Sequence, residues 1–495
     1  MPIIDSQFQI PTIARPWRSP MKKNLSLRIR HFVLAALLLE LSSGALAADK
    51  ELLEVLLSNG AITQEQFDEL LDRDTLSSED ILVQPVTTNR EIEELVSNEV
   101  TSQIDEQFPV TAEHTGKGFR FATRDGNWQT DIQWRAQMRF TTPYRSDPRQ
   151  ITSFNAKDQS NFEARRLRMK IGGHGFQPWL KYYFEVDLQP SRDVDDSSSV
   201  SGSRVNDWRL DIDKWDWGGI RLGQWKIDYN RERVDSSGRQ QFVERSIVNR
   251  VFTIDRQVGV QLRGHLFKNT PADMRYFAGV FNGEGKGVNN ADDNMMYAGR
   301  LQWNFLGRDL AFRQTDVEYT ELPTGSFALA GATTKGACTR WSSSGCGNLD
   351  GFERPAVAAP EQYEVDQYVQ EFAFKYRGFS TQQEYHVKKI RDAATGVRSE
   401  ITGGYVQAGY FFHHMFPSVP APLELAARYA YVDEPNATFL TFENAREEFT
   451  LGANWFFKGH NNKLTMDYSR LRLDDSILGM YESENRLRFQ WDVSF

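Results

Sequence analysis

The 495 residues contain only two cysteines, Cys338 and Cys346, close together in a Gly/Ser/Ala-rich stretch. That count excludes a disulfide-framed scaffold, and the spacing fits no zinc pattern. It suits a small loop disulfide in an oxidising compartment. Long apolar runs are missing too: beyond the N-terminus nothing is long enough for a spanning helix. Catalytic signatures are equally scarce. The histidines are His31, His114, His174, His265, His386, His413, His414 and His460. None neighbours a Gly-x-Ser-x-Gly elbow or forms a His-Glu-x-x-His pair, and Gly283-Glu284-Gly285-Lys286-Gly287 fails the phosphate-loop spacing. No catalytic residue, metal, cofactor or nucleic-acid partner is expected.

Charge is unevenly placed. The formal net charge is -9, yet residues 1–47 carry six basic and two acidic groups, and residues 48–110 carry sixteen acidic against three basic. The remainder, 111–495, balances at 49 of each sign. The acidity belongs to an N-terminal arm, so net charge decides nothing about what the main body passes or binds; placement must decide.

What is present begins with a targeting segment. Met21-Lys22-Lys23 to Arg30 is positive, Phe32 to Leu41 is apolar, and Ala45-Leu46-Ala47 supplies small residues. This reads as a secretory signal cleaved before Ala48, with 1–20 upstream of the true start. Residues 48–110 read as a short helical arm. Leu52, Leu53, Val55, Leu56 and Leu57 form one stripe, and Thr63 with Gln66 forms a capping box ahead of Phe67, Leu70 and Leu71. Ile92, Leu95, Val96, Val100 and Ile104 form a third stripe. Helices this short do not bury their faces alone, which leaves self-association, coiled-coil fashion, or a partner.

From 111 to 495 the pattern is strand-like. In the last ten residues Leu487, Phe489, Trp491, Val493 and Phe495 alternate with Arg486, Arg488, Gln490, Asp492 and Ser494. One face is oily to the final residue and the other is wet, the arrangement a transmembrane barrel needs. Similar alternation starts at Thr130, Arg166, Leu180 and Trp208, and recurs near 219–227, 256–266, 273–282, 294–306, 309–320, 365–377, 379–390, 400–412, 421–432, 446–457 and 462–472. Mean hydropathy of -0.55 with 13% aromatics agrees, because lumen and loops dilute the apolar band. The reading is an all-β membrane protein, an antiparallel transmembrane β-barrel of about sixteen strands. Tight turns such as Trp217-Gly218-Gly219 contrast with long stretches at 228–255 and 321–364.

Chemistry gathers on the wet face and in one loop. Arg135, Arg139, Arg166, Arg168, Lys170, Arg209, Arg221, Arg263, Arg300, Arg428 and Arg486 share that face with Asp131, Glu185, Asp187, Asp211 and Asp213. Cross-strand ion pairing alone explains many of them. The segment 228–255 is too long for a hairpin and carries Arg231, Arg233, Arg239, Arg245 and Arg250. Folded inward, it narrows the barrel and presents guanidinium forks to passing anions, with the Ser236 and Ser237 hydroxyls as neutral donors. An exposed, salt-bridged surface loop is the plainer alternative.

Several short motifs, in order, resemble a known family. They are Ala164-Arg165-Arg166 with Ile171-Gly172-Gly173, Leu222-Gly223-Gln224-Trp225, and Glu232-Arg233-Val234-Asp235-Ser236-Ser237 leading to Val243-Glu244-Arg245. Val280-Phe281-Asn282-Gly283, Leu451-Gly452-Ala453-Asn454-Trp455 and the terminal strand complete the set. Together they resemble the phosphate-selective porins O and P of the bacterial outer membrane. The resemblance implies a sixteen-stranded trimeric barrel whose inward third loop holds an anion site, lodged in outer-membrane lipid. It also implies a terminal strand read by the barrel-assembly machinery.

Carried over residue by residue, Arg165 and Arg166 match a pore-lining double arginine, Arg245 a loop arginine, and Ser236 and Ser237 paired hydroxyls. Arg233 stands where the phosphate-selective members place a lysine, and Arg168 where they place an aromatic. The expected channel passes small anions such as phosphate or polyphosphate through a constriction of Arg165, Arg166, Arg168, Arg233, Ser236, Ser237 and Arg245. Two departures thin its funnels: 321–364 offers only Lys335, Arg340 and Arg354, and 413–420 has no lysine. A general, weakly selective porin is the alternative; an outer-membrane barrel enzyme and a soluble periplasmic β-protein stand behind it.

Overall fold

The computed structural model describes residues 57–58, 62–64, 66–68, 110–143, 160–189, 204–290, 292–343, 345–349, 351–434, 444–475 and 480–495. The chain divides into two compact units, Met1–Ser102 and Gln103–Phe495. In the first, Thr63 and Gln66 cap each other as expected. Gln66 N–H donates to Thr63 Oγ1 at 3.3 Å, and Thr63 N–H donates to Gln66 Oε1 at 3.0 Å. The signal segment and the rest of the arm's expected helices lie outside the described residues, save Leu57 and Ser58, which are helical.

The second unit opens with a hairpin, β1 (Val110–His114) and β2 (Phe119–Thr123). The strands β3 (Gln129–Thr142), β4 (Asn161–Gly175), β5 (Gln177–Asp187), β6 (Arg204–Trp215) and β7 (Gly218–Lys226) follow. After the long loop come β8 (Arg256–Leu266), β9 (Met274–Phe281), β10 (Met296–Trp303) and β11 (Thr324–Gly336). A small hairpin, β12 (Arg340–Ser342) and β13 (Gly345–Gly347), interrupts the series. It resumes with β14 (Tyr363–Tyr376), β15 (Phe379–Asp392), β16 (Arg398–Tyr410) and β17 (Leu423–Glu434). It ends with β18 (Asn444–Lys458), β19 (Asn462–Asp475) and β20 (Met480–Ser494).

Setting aside the two hairpins, sixteen strands pair antiparallel with their neighbours, and β20 closes the ring on β3. Closure leaves no edge unpaired in the lipid. Polarity is inverted relative to a soluble domain. Gln137, Glu424, Lys388 and Thr450 face inward and are fully buried, while Trp134, Met138, Leu301 and Leu451 are about half exposed on the outer wall.

One strand differs from the expectation. Residues 304–323 form turns rather than a strand, and the stretch read as loop from 321 supplies β11 instead. Its inward residues Ala328, Ala330 and Ala332 are small, the last two sharing a buried core with the long loop, so the amphipathic signal there is weak. Beyond β11, Cys338 and Cys346 are bonded to each other, tying down the β12–β13 hairpin.

Candidate functional site: the third loop and the neck of the barrel

Residues 227–255, joining β7 to β8, turn into the lumen. They contain two short helices, α1 (Arg231–Val234) and α2 (Ile247–Phe252). Neither is long enough to hold itself together. Ile247, Val248, Val251 and Phe252 are buried against Trp341 of the small hairpin and against Val365, Ile401 and Val432 of the wall. A dry core therefore fills part of the ring.

The loop backbone is held by wall carboxylates. Glu371 accepts from the Arg231 N–H at 3.0 Å and Glu384 from the Glu232 N–H at 2.6 Å, both at the start of α1. Glu448 accepts from the Ile247 N–H at 3.1 Å at the start of α2, and Asp467 from the Val243 N–H at 2.9 Å. Free helix N–H groups carry partial positive charge, so a carboxylate there does the work of a cap. Three of these carboxylates also pair with wall arginines, Glu371 with Arg300, Glu448 with Arg428 and Asp467 with Arg488.

The seven residues singled out from the sequence divide into two groups. Arg165 and Arg166 both reach Glu244 of the loop, at 3.2 Å and 3.3 Å, and Arg139 joins them at 2.9 Å. Consecutive strand residues ordinarily point to opposite faces. Here Gln137 pairs with Arg166 and Met138 with Ala164, which leaves Arg165 as the extra residue of a β-bulge and lets both guanidinium groups point inward. Ser236 and Ser237 also meet the wall. Arg135 donates to their hydroxyls at 3.3 Å and 3.0 Å.

The other three are occupied elsewhere. Arg168 binds Glu185 at 2.7 Å and Asp187 at 2.9 Å. Arg233 pairs with Asp255, and Arg245 donates to the carbonyls of Glu232 (2.8 Å) and Asp235 (2.6 Å), stitching the loop to itself. Arg239 was legible only as one of the loop arginines. It is partly exposed and makes no ion pair among the described residues, and its charge acts on Lys170, Asp235 and His460. Burial raises the Asp235 carboxyl to about 6 and the Glu232 carboxyl to about 7. Both loop acids thus sit near neutrality.

The mouths are quieter. At the short-turn end, the Lys375 ammonium donates to the Thr315 carbonyl and Lys463 to that of Gln240. Residues 304–323 rise into the lumen there, and Arg231 donates to the carbonyls of Ala311 (2.9 Å) and Leu310 (3.4 Å). Sequence reading missed this second inward segment because its amphipathic spacing imitates a strand. Among the described residues the one group with metal-ligand spacing is Glu284 with Cys338 and Cys346, and its sulfurs are joined to each other.

A family model described as phosphate-selective porin O and P matches residues 140–495. No curated protein matches the chain. Among solved structures, a loop L8 deletion mutant of OmpT, an outer membrane protein of Vibrio cholerae, is similar with a TM-score of 0.50 and 11% identity. That match covers 74% of this chain and 100% of the other. The outer membrane channel DcaP of Acinetobacter baumannii gives a TM-score of 0.49 at 10% identity, covering 76% and 99%. An anion-selective porin from Comamonas acidovorans gives 0.46 at 11% identity, covering 74% and 99%. At such identities the likeness concerns the fold alone.

Proposed function

Given that the chain belongs to the phosphate-selective porin O and P family and closes into an outer-membrane barrel, we propose that this porin passes small anions by diffusion past an arginine-lined neck. The neck lies between the third loop and the wall of β3–β5. One observation carries the reading. Glu244 is shared by three guanidinium groups, those of Arg139, Arg165 and Arg166, with Glu163 also 3.8 Å from Arg139, and Arg239 of the loop makes no ion pair among the described residues. Positive charge is in excess at the narrow point, where an ion sheds part of its water.

Guanidinium forks suit phosphate or polyphosphate oxygens, so these are the anions to test first. Arg165 and Arg166, with the Ser236 and Ser237 hydroxyls, are the contacts of choice. Arg168, Arg233 and Arg245 act by shaping the loop and balancing buried acids. Weak selectivity is the second reading. It is favoured by the pairing of Arg168, Arg221 and Arg263 with acids, which leaves those guanidinium groups little charge to spare. The family and the fold favour a channel over an enzyme. A homotrimer, helped by the acidic arm, and delivery to the assembly machinery by the terminal strand complete the proposal.

Planar-bilayer recording across a salt gradient tests it. The expected result is a reversal potential of anion preference, with phosphate, pyrophosphate and sulfate reducing the chloride current in competition. Cation preference in the unaltered protein overturns the assignment. Preference without competition favours the weakly selective reading.

A further inference from the structure

The outer wall of a membrane barrel meets hydrocarbon, where an amide without a partner is costly. Around most of this ring the wall obeys that rule, presenting Leu301, Leu329, Val406 and Leu451. Gln370 of β14 and Gln383 of β15 do not. Their sequence neighbours Val369, Glu371, Gln382 and Glu384 are all buried on the lumen side, so the two glutamines face outward. They lie between two rings of aromatics, with Tyr368 and Tyr385 toward one rim and Tyr376 and Phe379 toward the other. That places them inside the apolar band.

The amides meet each other: Gln383 Nε2 donates to Gln370 Oε1 at 2.8 Å. This contact uses one N–H and one carbonyl of the pair. An NH2 on Gln370 and a carbonyl on Gln383 remain, with no partner among the described residues. Beside them the wall is hollow. Ala278, Gly299 and Gly331 align across β9, β10 and β11, between Leu262 and Tyr368, and floor a groove of about 630 Å³. Gly404 and Ala408 of β16 keep the wall low on the opposite flank.

We propose that this face docks a second copy of the chain in the plane of the membrane. The leftover donor and acceptor are self-complementary: across a twofold axis each Gln370 amide meets the other copy's Gln383 carbonyl. The small residues on either flank let the two walls approach closely enough for those bonds to form. A lipid tail fits the groove equally well but offers nothing to the amides. The proposal rests on the barrel lying in the membrane and is independent of which ions it passes.

Cysteine cross-linking in isolated outer membranes tests it, since the two native cysteines are already bonded to each other. Val406→Cys sits beside Gln383 on the outer face, and Leu451→Cys, equally exposed two strands further round, is the control. A bis-maleimide spanning about 15 Å, which is the separation of the two Val406 sites across that axis at about 4.8 Å per strand, is expected to give a product of twice the chain mass, about tenfold more from V406C than from L451C, because docking raises the local thiol concentration. Adding Gln370→Leu and Gln383→Leu to V406C should bring the yield down to the control while single-channel conductance stays unchanged. Equal yields from V406C and L451C, a product with a different protein, or full cross-linking in the double leucine variant would each overturn the proposal.

Discussion

Arg239 offers the cleanest probe of the neck, because among the described residues no ion pair or hydrogen bond uses its guanidinium. Replacing it with glutamine removes one positive charge and leaves the loop's own stitching intact. A unit charge about 6 Å from an ion's path in water is worth about 332/(80 × 6), or roughly 0.7 kcal/mol. Mobile ions at about 0.1 M, with a screening length of about 10 Å, reduce this to about 0.4 kcal/mol. Against thermal energy of about 0.6 kcal/mol, that is about twofold less anion and about twofold more cation at the neck, so the anion-to-cation permeability ratio should fall about fourfold. The assay is the reversal potential across a salt gradient, with single-channel conductance recorded alongside. The shift should fade as salt rises. A ratio within experimental scatter of the wild type at low salt would show that Arg239 lies off the ion path, and the assignment of the neck would go with it.

Further expectations follow from the same geometry. Glu244→Gln removes the one negative charge that three guanidinium groups share, Arg139 keeping Glu163, so anion preference should rise by about the same fourfold in the same recording. Arg245→Gln should act differently: it strands the carbonyl of Glu232, at a cost of about 1–3 kcal/mol, and leaves that of Asp235 to the longer contacts of Lys226 and Gln240, so the loop should flicker open and conductance become noisy, with little change in ion preference. Acidification should strengthen anion preference, because Asp235, raised to about 6, becomes neutral as pH falls from 7 to 5; Asp235→Asn should remove most of that step. The sign for stability runs the same way: a carboxyl whose folded value lies above its ordinary one favours the native loop at low pH, and that contribution is lost as pH rises through about 6. Loop protection in hydrogen exchange at the two pH values checks it.

The barrel was largely legible because period-two alternation is a signal of the strand itself, and fifteen of the strands carry large apolar residues on one face. β11 was not, since its inward alanines are small, and two of them share a buried core with a loop that only the folded ring brings near. The segment 304–323 misled for the converse reason: Leu310 and Phe312 alternate like strand residues but are spent filling the lumen, with Arg231 lying over the Phe312 ring. At the neck, residue types were readable and partners were not. Arg165 and Arg166 look alike as neighbours in the chain, and only the bulge explains how both turn inward. Arg245 and Arg239 look alike too. One stitches backbone and the other makes no ion pair among the described residues, a difference decided by contacts with residues ten or more positions away.

The carboxylates that seat the third loop have a consequence for the order in which this protein takes shape. Glu371, Glu384, Glu448 and Asp467 all lie downstream of the segment they hold, the last of them more than two hundred residues later. Arg135, Arg139, Arg165 and Arg166 meet the segment from upstream, but the carboxylates that seat its two helices belong to the second half of the wall. The gate is thus hinged on the early strands and latched by the late ones.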